Sequence, residues 1–315
     1  MARLVVLGSN GFIGKHLTAS LAQNKSNKII AFDNFNEYRQ KQVNPFSDFD
    51  NVELFPGDFL NTDDVSEAVK LADYVFHLIS TTTPASSDKD PLIDLDTNVR
   101  ASVELFSLCA SSNVKRVIFP SSGGTVYGNN VSESNKEIDS TEPYSPYGIG
   151  KLAIENYLRY FKKSHGLDYI VYRLSNPYGP GQNLLGKQGV IPIFLNKILK
   201  NEDLTIFGDG EMVRDYIYID DVINMITKTY DQKTNYSVYN IGSGVGESVN
   251  QIVDILRRVT EKNVSTSHVA TPLSYVEKSV LNIERFTSEF NILPEVTLEN
   301  GIKSTWEYIK KTYNL

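Results

Sequence analysis

The sequence predicts an α/β fold in which helices doubly wind a parallel sheet, followed by a smaller C-terminal α/β lobe. Two observations support this prediction. An apolar stretch at residues 3–7, typical of a buried strand, runs directly into a glycine-rich turn and a helical pattern. Apolar stretches of strand length then alternate with helix-length stretches as far as Ser175, and such alternation is typical of a parallel sheet with helices on its faces.

The later strands of the first lobe, residues 1–175, are expected at 28–32, 52–56, 72–80, 115–122 and 169–175, with helices near 63–71, 91–111 and 146–164. After Asn176 the pattern changes to a loop at 177–182, an apolar helix at 190–199 and a strand near 204–207. We expect 176–215 and 246–315 to form the smaller lobe, and about 216–245 to return to the first lobe. Amphipathic helices are expected at 248–259 and 302–311.

Composition indicates a globular chain with a sizeable core. The 315 residues are 41% apolar and carry a formal net charge of −7 without a basic run, which argues against a nucleic-acid or anionic-membrane surface. No apolar run approaches the roughly 18 residues of a membrane span, and no spacing of histidines predicts a metal site. The single cysteine, Cys109, cannot form an internal disulfide, so we expect a reducing, cytoplasmic setting.

The turn after the first strand has the spacing of a dinucleotide-binding loop. Gly8, Gly11 and Gly14 permit a sharp turn and a close approach of backbone to a pyrophosphate at the N-terminus of the next helix. Asp33 ends the second strand about twenty residues later, where an acid binds the ribose hydroxyls of adenosine. Because no arginine immediately follows Asp33 and its charge repels a 2′-phosphate, the sequence favours NAD over NADP.

A tyrosine and a lysine lie one helical turn apart at Tyr147 and Lys151, on a helix that Ser145 can cap and Gly166 can end. An ammonium beside a phenol favours the phenolate, so we expect the pKa of Tyr147 to fall below the ordinary value of about 10. Its oxygen would then serve as a base near neutral pH. The alternative interpretation is an ordinary exposed pair on a helix surface.

Further motifs follow in order along the chain. They are Asp58-Phe59, Asn98 between Thr97 and Val99, Ser121-Ser122 to Tyr127-Gly128, Arg173-x-x-Asn176-Pro177-Tyr178-Gly179-Pro180, and Arg214-Asp215-Tyr216 leading to Asp220-Asp221. Together with the glycine loop and Tyr147-x-x-x-Lys151, they resemble the extended short-chain dehydrogenase/reductase family, and within it the nucleotide-sugar epimerases and dehydratases. The resemblance covers nearly the whole chain and implies a Rossmann fold, NAD as cofactor and a UDP-sugar as substrate.

The resemblance also implies which residues bind the cofactor. The glycine loop and Asp33 would hold the pyrophosphate and adenosine, Asp58 and Phe59 would border the adenine, and Lys151 would also hold the nicotinamide ribose. The implied set is Gly8, Gly11, Phe12, Ile13, Gly14, Asp33, Asn34, Asp58, Phe59, Leu78, Ile79, Ser80, Asn98, Ser121, Tyr147 and Lys151.

For the substrate, the resemblance implies contacts from Thr82, Asn176, Val190, Leu204, Ile206, Arg214, Lys278 and Ser279. Asn176 and Arg214 would bind the diphosphate, since planar guanidinium donors match phosphate oxygens; the alternative for Arg214 is a surface ion pair. Relatives carry a diphosphate-clamping arginine in the region that corresponds to 272–282, where this chain has none, and Lys278 would replace it. Ser279 matches a position that limits bulk at C2 of the sugar, and a small residue there would admit an N-acetyl group.

Of the reactions that the family catalyses, the sequence favours oxidation and reduction at a single carbon of the sugar. Its dehydratases carry an acidic pair where this chain has Gly124 and Thr125, and Cys109 lies in the wrong element to act as an acid or base. We expect Tyr147 to take the proton of the sugar 4-hydroxyl while hydride passes to NAD+, and hydride to return to the other face, which amounts to 4-epimerisation. Relatives have a hydroxyl residue at the position of Gly123, so Ser122 or Thr125, of which Thr125 is favoured, would supply that hydrogen bond.

Several alternatives stay open. The substrate pair is UDP-glucose/UDP-galactose or its N-acetylated counterpart. A nucleotide-sugar oxidoreductase or an epimerase of UDP-uronates would use the same fold, and a non-catalytic dinucleotide sensor would not need the Tyr147–Lys151 pair. By analogy with the family, helices around 91–111 and 146–164 would form a homodimer.

Overall fold

The computed structural model describes residues 2–36, 43–129, 133–186, 189–271 and 276–313. Its main sheet has seven strands, namely β1 (Arg3–Leu7), β2 (Lys28–Asp33), β3 (Val52–Pro56), β4 (Tyr74–His77), β5 (Arg116–Ser122), β6 (Asp168–Leu174) and β10 (Val238–Ile241). They lie in the order β10-β6-β5-β4-β1-β2-β3. The strand β1 pairs in parallel with both β2 and β4, so the chain winds outward from β1 in two directions. The predicted doubly wound α/β fold is thereby confirmed.

The chain divides into two compact units. The first comprises residues 1–126, 143–173 and 226–239, and the second comprises 127–142, 174–225 and 240–315. In the first unit, apolar side chains of the strands and helices form one buried cluster that includes Leu7, Val75, Val117, Leu105 and Leu158. Its helices are α1 (Phe12–Ala22), α2 (Thr62–Val69), α3 (Pro84–Ser87), α4 (Pro91–Asp94), α5 (Ala101–Ser111), α6 (Gly123–Val126) and α7 (Pro146–His165).

The helix predicted at 91–111 is interrupted. A π-helical turn at Leu95–Arg100 separates α4 from α5. At this turn the hydroxyl of Ser102 donates to the carbonyl oxygen of Asn98 over 2.5 Å, which competes with the regular backbone hydrogen bond of an α-helix. The amphipathic pattern of the sequence does not reveal this turn, because a π-turn shifts the helical period over only a few residues.

The second unit is organised around β9 (Val213–Tyr218). The strands β7 (Asn176–Tyr178) and β13 (Lys278–Ser279) pair with it in parallel, and β11 (Gly246–Ser248) pairs with it in antiparallel fashion. A separate parallel pair is formed by β8 (Leu204–Phe207) and β12 (Thr266–Val269). The helices are α8 (Val190–Leu199), α9 (Ile219–Thr227), α10 (Val249–Thr260), α11 (Glu284–Phe290) and α12 (Leu298–Tyr313).

Two predicted boundaries differ from the structure. The return to the first unit spans 226–239 rather than about 216–245, because β9 pairs with three strands of the second unit. Residues 177 and 178, expected to begin a loop, belong to β7, whose pairing partner β9 lies about forty residues later. Among the described residues, no helix is long and apolar enough to cross a membrane.

Candidate functional site

The glycine turn between β1 and α1 is closed as tightly as backbone allows. Gly8 has a φ of +86°, and a Cβ on Gly14 would overlap the carbonyl oxygen of Gly8, so a side chain does not fit there. In the described part of the chain, no side chain caps the N-terminus of α1. The amides of its first turn, which includes Phe12 and Ile13, are therefore available to an anion such as a pyrophosphate.

Asp33, at the end of β2, lies beside this turn. Its carboxylate accepts the backbone N–H of Asn10 at 3.0 Å and that of Asn34 at 2.8 Å. A dinucleotide needs a tight glycine turn and free helix amides for its pyrophosphate, and an adjacent acid for its adenosine ribose. This region has all three. The residues present fit NAD, with Gly8, Gly14 and Asp33 as the central contacts.

The loop after β4 completes this side of the first unit. Ile79 packs against Gly8, at 3.2 Å from the place where a Cβ would stand. The amide oxygen of Asn98 accepts hydrogen bonds from the backbone and hydroxyl of Thr81 at 2.9 and 3.1 Å, which fixes the loop that carries Leu78 and Ser80. Asn98 thus holds a predicted cofactor loop in place.

Two other predicted cofactor residues are engaged with the core. Phe59 is buried, with its ring 5.1 Å from that of His77, while its neighbour Asp58 is exposed. The hydroxyl of Ser121 donates to Glu155 over 2.5 Å. Their roles toward the cofactor stay predictions.

Helix α7 presents Tyr147 and Lys151 from a well-defined N-terminus. The hydroxyl of Ser145 caps the helix by accepting the N–H of Gly148 at 3.2 Å, and Gly166, with a φ of 72°, ends it. The backbone N–H of Tyr147 donates to the Ser87 hydroxyl at 3.1 Å. The first turn of α7 is therefore held by the side chain of its own N-cap residue and by one side chain of α3.

The side chains of Ser122 and Ser80 act on the phenol of Tyr147 in the direction that lowers its pKa. Lys151 is buried, donates to the carbonyl oxygen of Pro120 at 3.3 Å, and lies 4.8 Å from the ring centroid of Phe119. Its Nζ is 5.7 Å from the ring centroid of Tyr147. Lys151 is buried and Tyr147 is half-buried, so the two do not form an exposed pair on a helix surface.

The predicted effect of Lys151 on the phenol is wrong for this structure. Burial raises the pKa of Tyr147 to about 12, the negative charge of Asp94 raises it as well, and the hydrogen bonds of Ser122 and Ser80 oppose them. Burial also lowers the pKa of Lys151 to about 8, against the charges of Asp94 and Glu155. The prediction considered the neighbouring ammonium alone, whereas the loss of hydration acts on both groups.

The two hydroxyl groups proposed to replace the one missing at Gly123 lie in adjacent elements. Ser122 ends β5, and its side chain acts on the phenol of Tyr147 in the direction that lowers its pKa. Thr125, which the sequence favours, lies in α6 and directs its hydroxyl to the carbonyl oxygen of Ser122 at 3.5 Å. Which of the two would bond the sugar stays a prediction.

Two buried carboxylates that the sequence pattern did not single out lie next to this pair. Glu155 accepts from Ser121 and from Arg173, with Nη2 at 2.7 Å, and both charged residues are almost fully buried. Asp94 is also buried and accepts from Thr82 and Asn98. A signal for Glu155 exists in the sequence, since it follows Lys151 by four residues on the core-facing side of the helix.

The second unit contains a separate pocket of about 150 Å³. Three predicted substrate residues line it, namely Asn176, Val190 and Arg214. The pocket is also lined by Gln182, Met212 and Tyr216, which were not predicted to bind substrate. The guanidinium of Arg214 donates to the carbonyl oxygens of Val213 at 2.7 Å and Val276 at 2.6 Å. The amide of Asn176 donates to the carbonyl oxygen of Asp215 at 2.8 Å.

The other predicted substrate residues of this unit lie elsewhere. Leu204 and Ile206 are buried in β8, Ser279 is buried opposite Arg214 in the β13–β9 pairing, and Lys278 is exposed. Of the region 272–282, residues 272–275 lie outside the described residues. Among the described residues, no cluster of three or more His, Cys, Asp or Glu side chains could hold a metal ion.

Comparison with known proteins defines the class of the chain. Residues 4–242 match the NAD dependent epimerase/dehydratase family, and the chain belongs to this family. NAD is accordingly its cofactor, in agreement with the fit of the glycine turn and Asp33.

Individual relatives are similar over the full chain length. The structure of a UDP-glucose 4-epimerase from Thermotoga maritima with UDP-glucose is 35% identical, with 99% of each chain covered and a TM-score of 0.91. A UDP-N-acetylglucosamine 4-epimerase from Methanobrevibacter ruminantium M1, in complex with UDP-N-acetylmuramic acid, is 30% identical, with 99% of each chain covered and a TM-score of 0.90. A dTDP-4-dehydro-6-deoxyglucose reductase from Escherichia coli is 31% identical over 305 residues, 95% of each chain.

Proposed function

We propose that this protein is an NAD-dependent nucleotide-sugar epimerase that inverts C4 of a UDP-hexose. The observation that carries the proposal is the pair of Tyr147 and the buried Lys151, which lie one helical turn apart in the unit whose glycine turn fits NAD. Two relatives of known structure, from Thermotoga and Methanobrevibacter, are UDP-sugar 4-epimerases. The pocket around Asn176 and Arg214 offers amide and guanidinium donors for a diphosphate.

Each residue has a defined task in this reaction. Tyr147 takes the proton of the 4-hydroxyl and later returns one to the 4-oxygen, and the Ser122 side chain favours the ionised phenol. Lys151, one turn away, supplies a buried positive charge and a donor for a ribose hydroxyl. NAD+ supplies the hydride acceptor when bound, and its positive ring would favour the phenolate over the phenol. Without that charge the pKa of Tyr147 is about 12, so the phenol is neutral at neutral pH.

The direct experiment offers purified protein UDP-glucose, UDP-N-acetylglucosamine and UDP-glucuronate separately, without added cofactor. We expect the C4 epimer of a UDP-hexose to accumulate to equilibrium with no net absorbance change at 340 nm, since the hydride is returned. Stoichiometric NADH formation, or no epimer from any of the three, would refute the proposal.

A nucleotide-sugar oxidoreductase is the second candidate, because the reductase from Escherichia coli is 31% identical over most of both chains. It predicts consumption of NADH or NADPH with a 4-keto sugar nucleotide as substrate, one reduced cofactor for each product. An epimerase would instead catalyse many turnovers for each bound NAD. The ratio of product to oxidised cofactor separates the two candidates.

We propose that Ser279 limits the size of the substituent at C2 of the sugar that the site accepts. This small residue is buried and pairs with Arg214, which lines the pocket. Replacing it by tyrosine should reduce turnover of UDP-N-acetylglucosamine more than that of UDP-glucose. Equal effects on both substrates would show that Ser279 does not limit C2.

A homodimer is proposed from an apolar surface of the first unit. Leu92, Leu95, Ile149, Tyr157 and Tyr160 are each 41% to 67% exposed, on the helical segments 91–100 and 146–165. Light scattering should give twice the chain mass of 35.3 kDa. The Leu95→Arg variant should lower that mass toward a monomer, whereas a monomeric wild-type chain would contradict the proposal.

A further inference from the structure

Asp94 is a buried acid whose partners carry no positive charge. It is 2% exposed at the end of α4. Its Oδ1 accepts the hydroxyl of Thr82 and the amide of Asn98, the latter at 2.9 Å. Both partners are neutral, so these hydrogen bonds satisfy the carboxylate without neutralising its charge. A charge kept inside a protein without a cation in direct contact acts on other buried groups nearby.

The other carboxylate oxygen of Asp94 lies against helix α7. A Cβ on Gly150 would overlap Oδ2 of Asp94, so the close approach depends on the absence of a side chain at this position. Gly150 stands directly before Lys151 and three residues after Tyr147. The carboxylate therefore touches the turn of α7 that carries both functional side chains.

Among the acids around this turn, Asp94 is the main one that has no cation in direct contact. The negative charge of Asp94 raises the pKa of both Lys151 and Tyr147. Glu155 also raises the pKa of Lys151, but it is ion paired with Arg173 at 2.7 Å. His77 on β4 is neutral, since burial lowers its pKa to about 3. Ser121 and Ser122 on β5 contribute only neutral hydroxyl groups.

We propose that Asp94 is a positioning residue for Tyr147 and Lys151: its buried negative charge keeps the Lys151 ammonium protonated, and its contact with Gly150 fixes the turn that carries both. The electrostatic part concerns the folded chain itself, whereas its consequence for turnover rests on the proposed function. Asp94 need not touch the substrate or the cofactor in this role.

The electrostatic part is tested without any activity measurement. Protein labelled with ¹³Cε-lysine is titrated by NMR, and the Lys151 resonance is identified by its loss in Lys151→Ala. We expect a midpoint near pH 8 in the wild type and a shift of about one pH unit downward in Asp94→Asn. Asp96→Asn removes an acid that is 65% exposed and lies 3.9 Å from Arg100 on the surface, and should leave the Lys151 midpoint unchanged.

An unchanged Lys151 midpoint in Asp94→Asn would overturn the proposal. Asp94→Ser, which leaves room for a water beside Thr82 and Asn98, provides the same measurement if the asparagine variant does not fold. A midpoint that moves equally in Asp96→Asn would also overturn it, because the effect would then be one of net charge.

The catalytic part is read from the pH profile of kcat. Loss of the Asp94 charge lowers the pKa of both Tyr147 and Lys151, so both limbs of the profile should move to lower pH in Asp94→Asn by about one unit. A merely structural role would reduce kcat at every pH without moving the limbs, and that result would overturn the catalytic part. If no nucleotide sugar is turned over, the proposed function fails, while the NMR titration still decides the charge effect.

Discussion

The glycine turn with α7 and the pocket around Arg214 are built in different ways. In the first unit, parallel strands of four to seven residues place their carboxyl ends side by side, and Asp94, Glu155 and Arg173 are buried around Lys151. In the second unit, three strands of two or three residues pair with β9 from widely separated segments. The comparison shows that buried neighbours set the charge state in one region, whereas in the other the amide of Asn176 and the guanidinium of Arg214 line a pocket and donate to backbone carbonyl oxygens.

The largest effect is expected for Tyr147→Phe, which removes the hydroxyl and keeps the ring. We expect kcat to fall by about 10²- to 10⁴-fold, the typical contribution of a general base, while NAD binding is retained. Tyr157→Phe is the matched control, because Tyr157 lies on the same helix and is 41% exposed. If Tyr147→Phe were as active as the control, Tyr147 would not be the base, and the chemistry could not be assigned to this part of the first unit.

The next effect concerns buried charge. Glu155→Gln leaves Arg173 buried without its acid, so the free energy of unfolding measured in urea should fall by about 3 kcal/mol. In the second unit, Glu299→Gln breaks an exposed pair with Arg258, whose side chains are 52% and 57% exposed, and should lower the free energy of unfolding far less, because solvent screens the pair. Equal losses of unfolding free energy in the two variants would contradict the view that buried charge matters more in the first unit than exposed charge does in the second.

A pH dependence of stability follows from Lys151. Folding lowers its pKa from 10.5 to about 8, so between these values the unfolded chain binds more protons and stability rises with pH. The free energy of unfolding of the wild type, relative to Lys151→Met, should increase by about 2 kcal/mol between about pH 7.5 and about pH 9.5. A constant difference across this range would show that Lys151 keeps an ordinary pKa.

The smallest effect is expected at the pocket of the second unit. Arg214→Lys keeps the positive charge but loses the planar pair of donors, so KM for the nucleotide sugar should rise about tenfold with little change in kcat. Arg258→Lys, at an exposed site of the same unit, should leave KM unchanged. An unaltered KM in Arg214→Lys would mean that this pocket does not bind the diphosphate.

The two regions also differ in how far the sequence predicts them. Gly8, Gly14 and Asp33 belong to consecutive elements, so their spacing alone places them at one turn. Tyr147 and Lys151 are related by one helical turn, and their juxtaposition is confirmed. The pocket residues Gln182, Met212 and Tyr216 carry no comparable spacing, because strand pairing over two to four residues leaves no measurable period.

The charge state of the phenol could not be predicted for a related reason. Spacing shows that Lys151 lies near Tyr147, but the raised pKa depends on burial and on Asp94, which lies more than fifty positions earlier in the sequence. The choice between Ser122 and Thr125 stays a prediction, since Ser122 ends β5, Thr125 lies in α6, and their spacing alone does not decide which hydroxyl would reach the sugar.

The most direct test of the central claim uses UDP-glucose that carries deuterium at C4, or the N-acetylated analogue if that is the substrate, in ordinary water without added cofactor. If Tyr147 takes the hydroxyl proton while the hydride leaves C4 and returns to its other face, the epimer should keep the deuterium at C4. An epimer with hydrogen from solvent at C4 would contradict the account, because inversion would then proceed by removal of the carbon-bound proton.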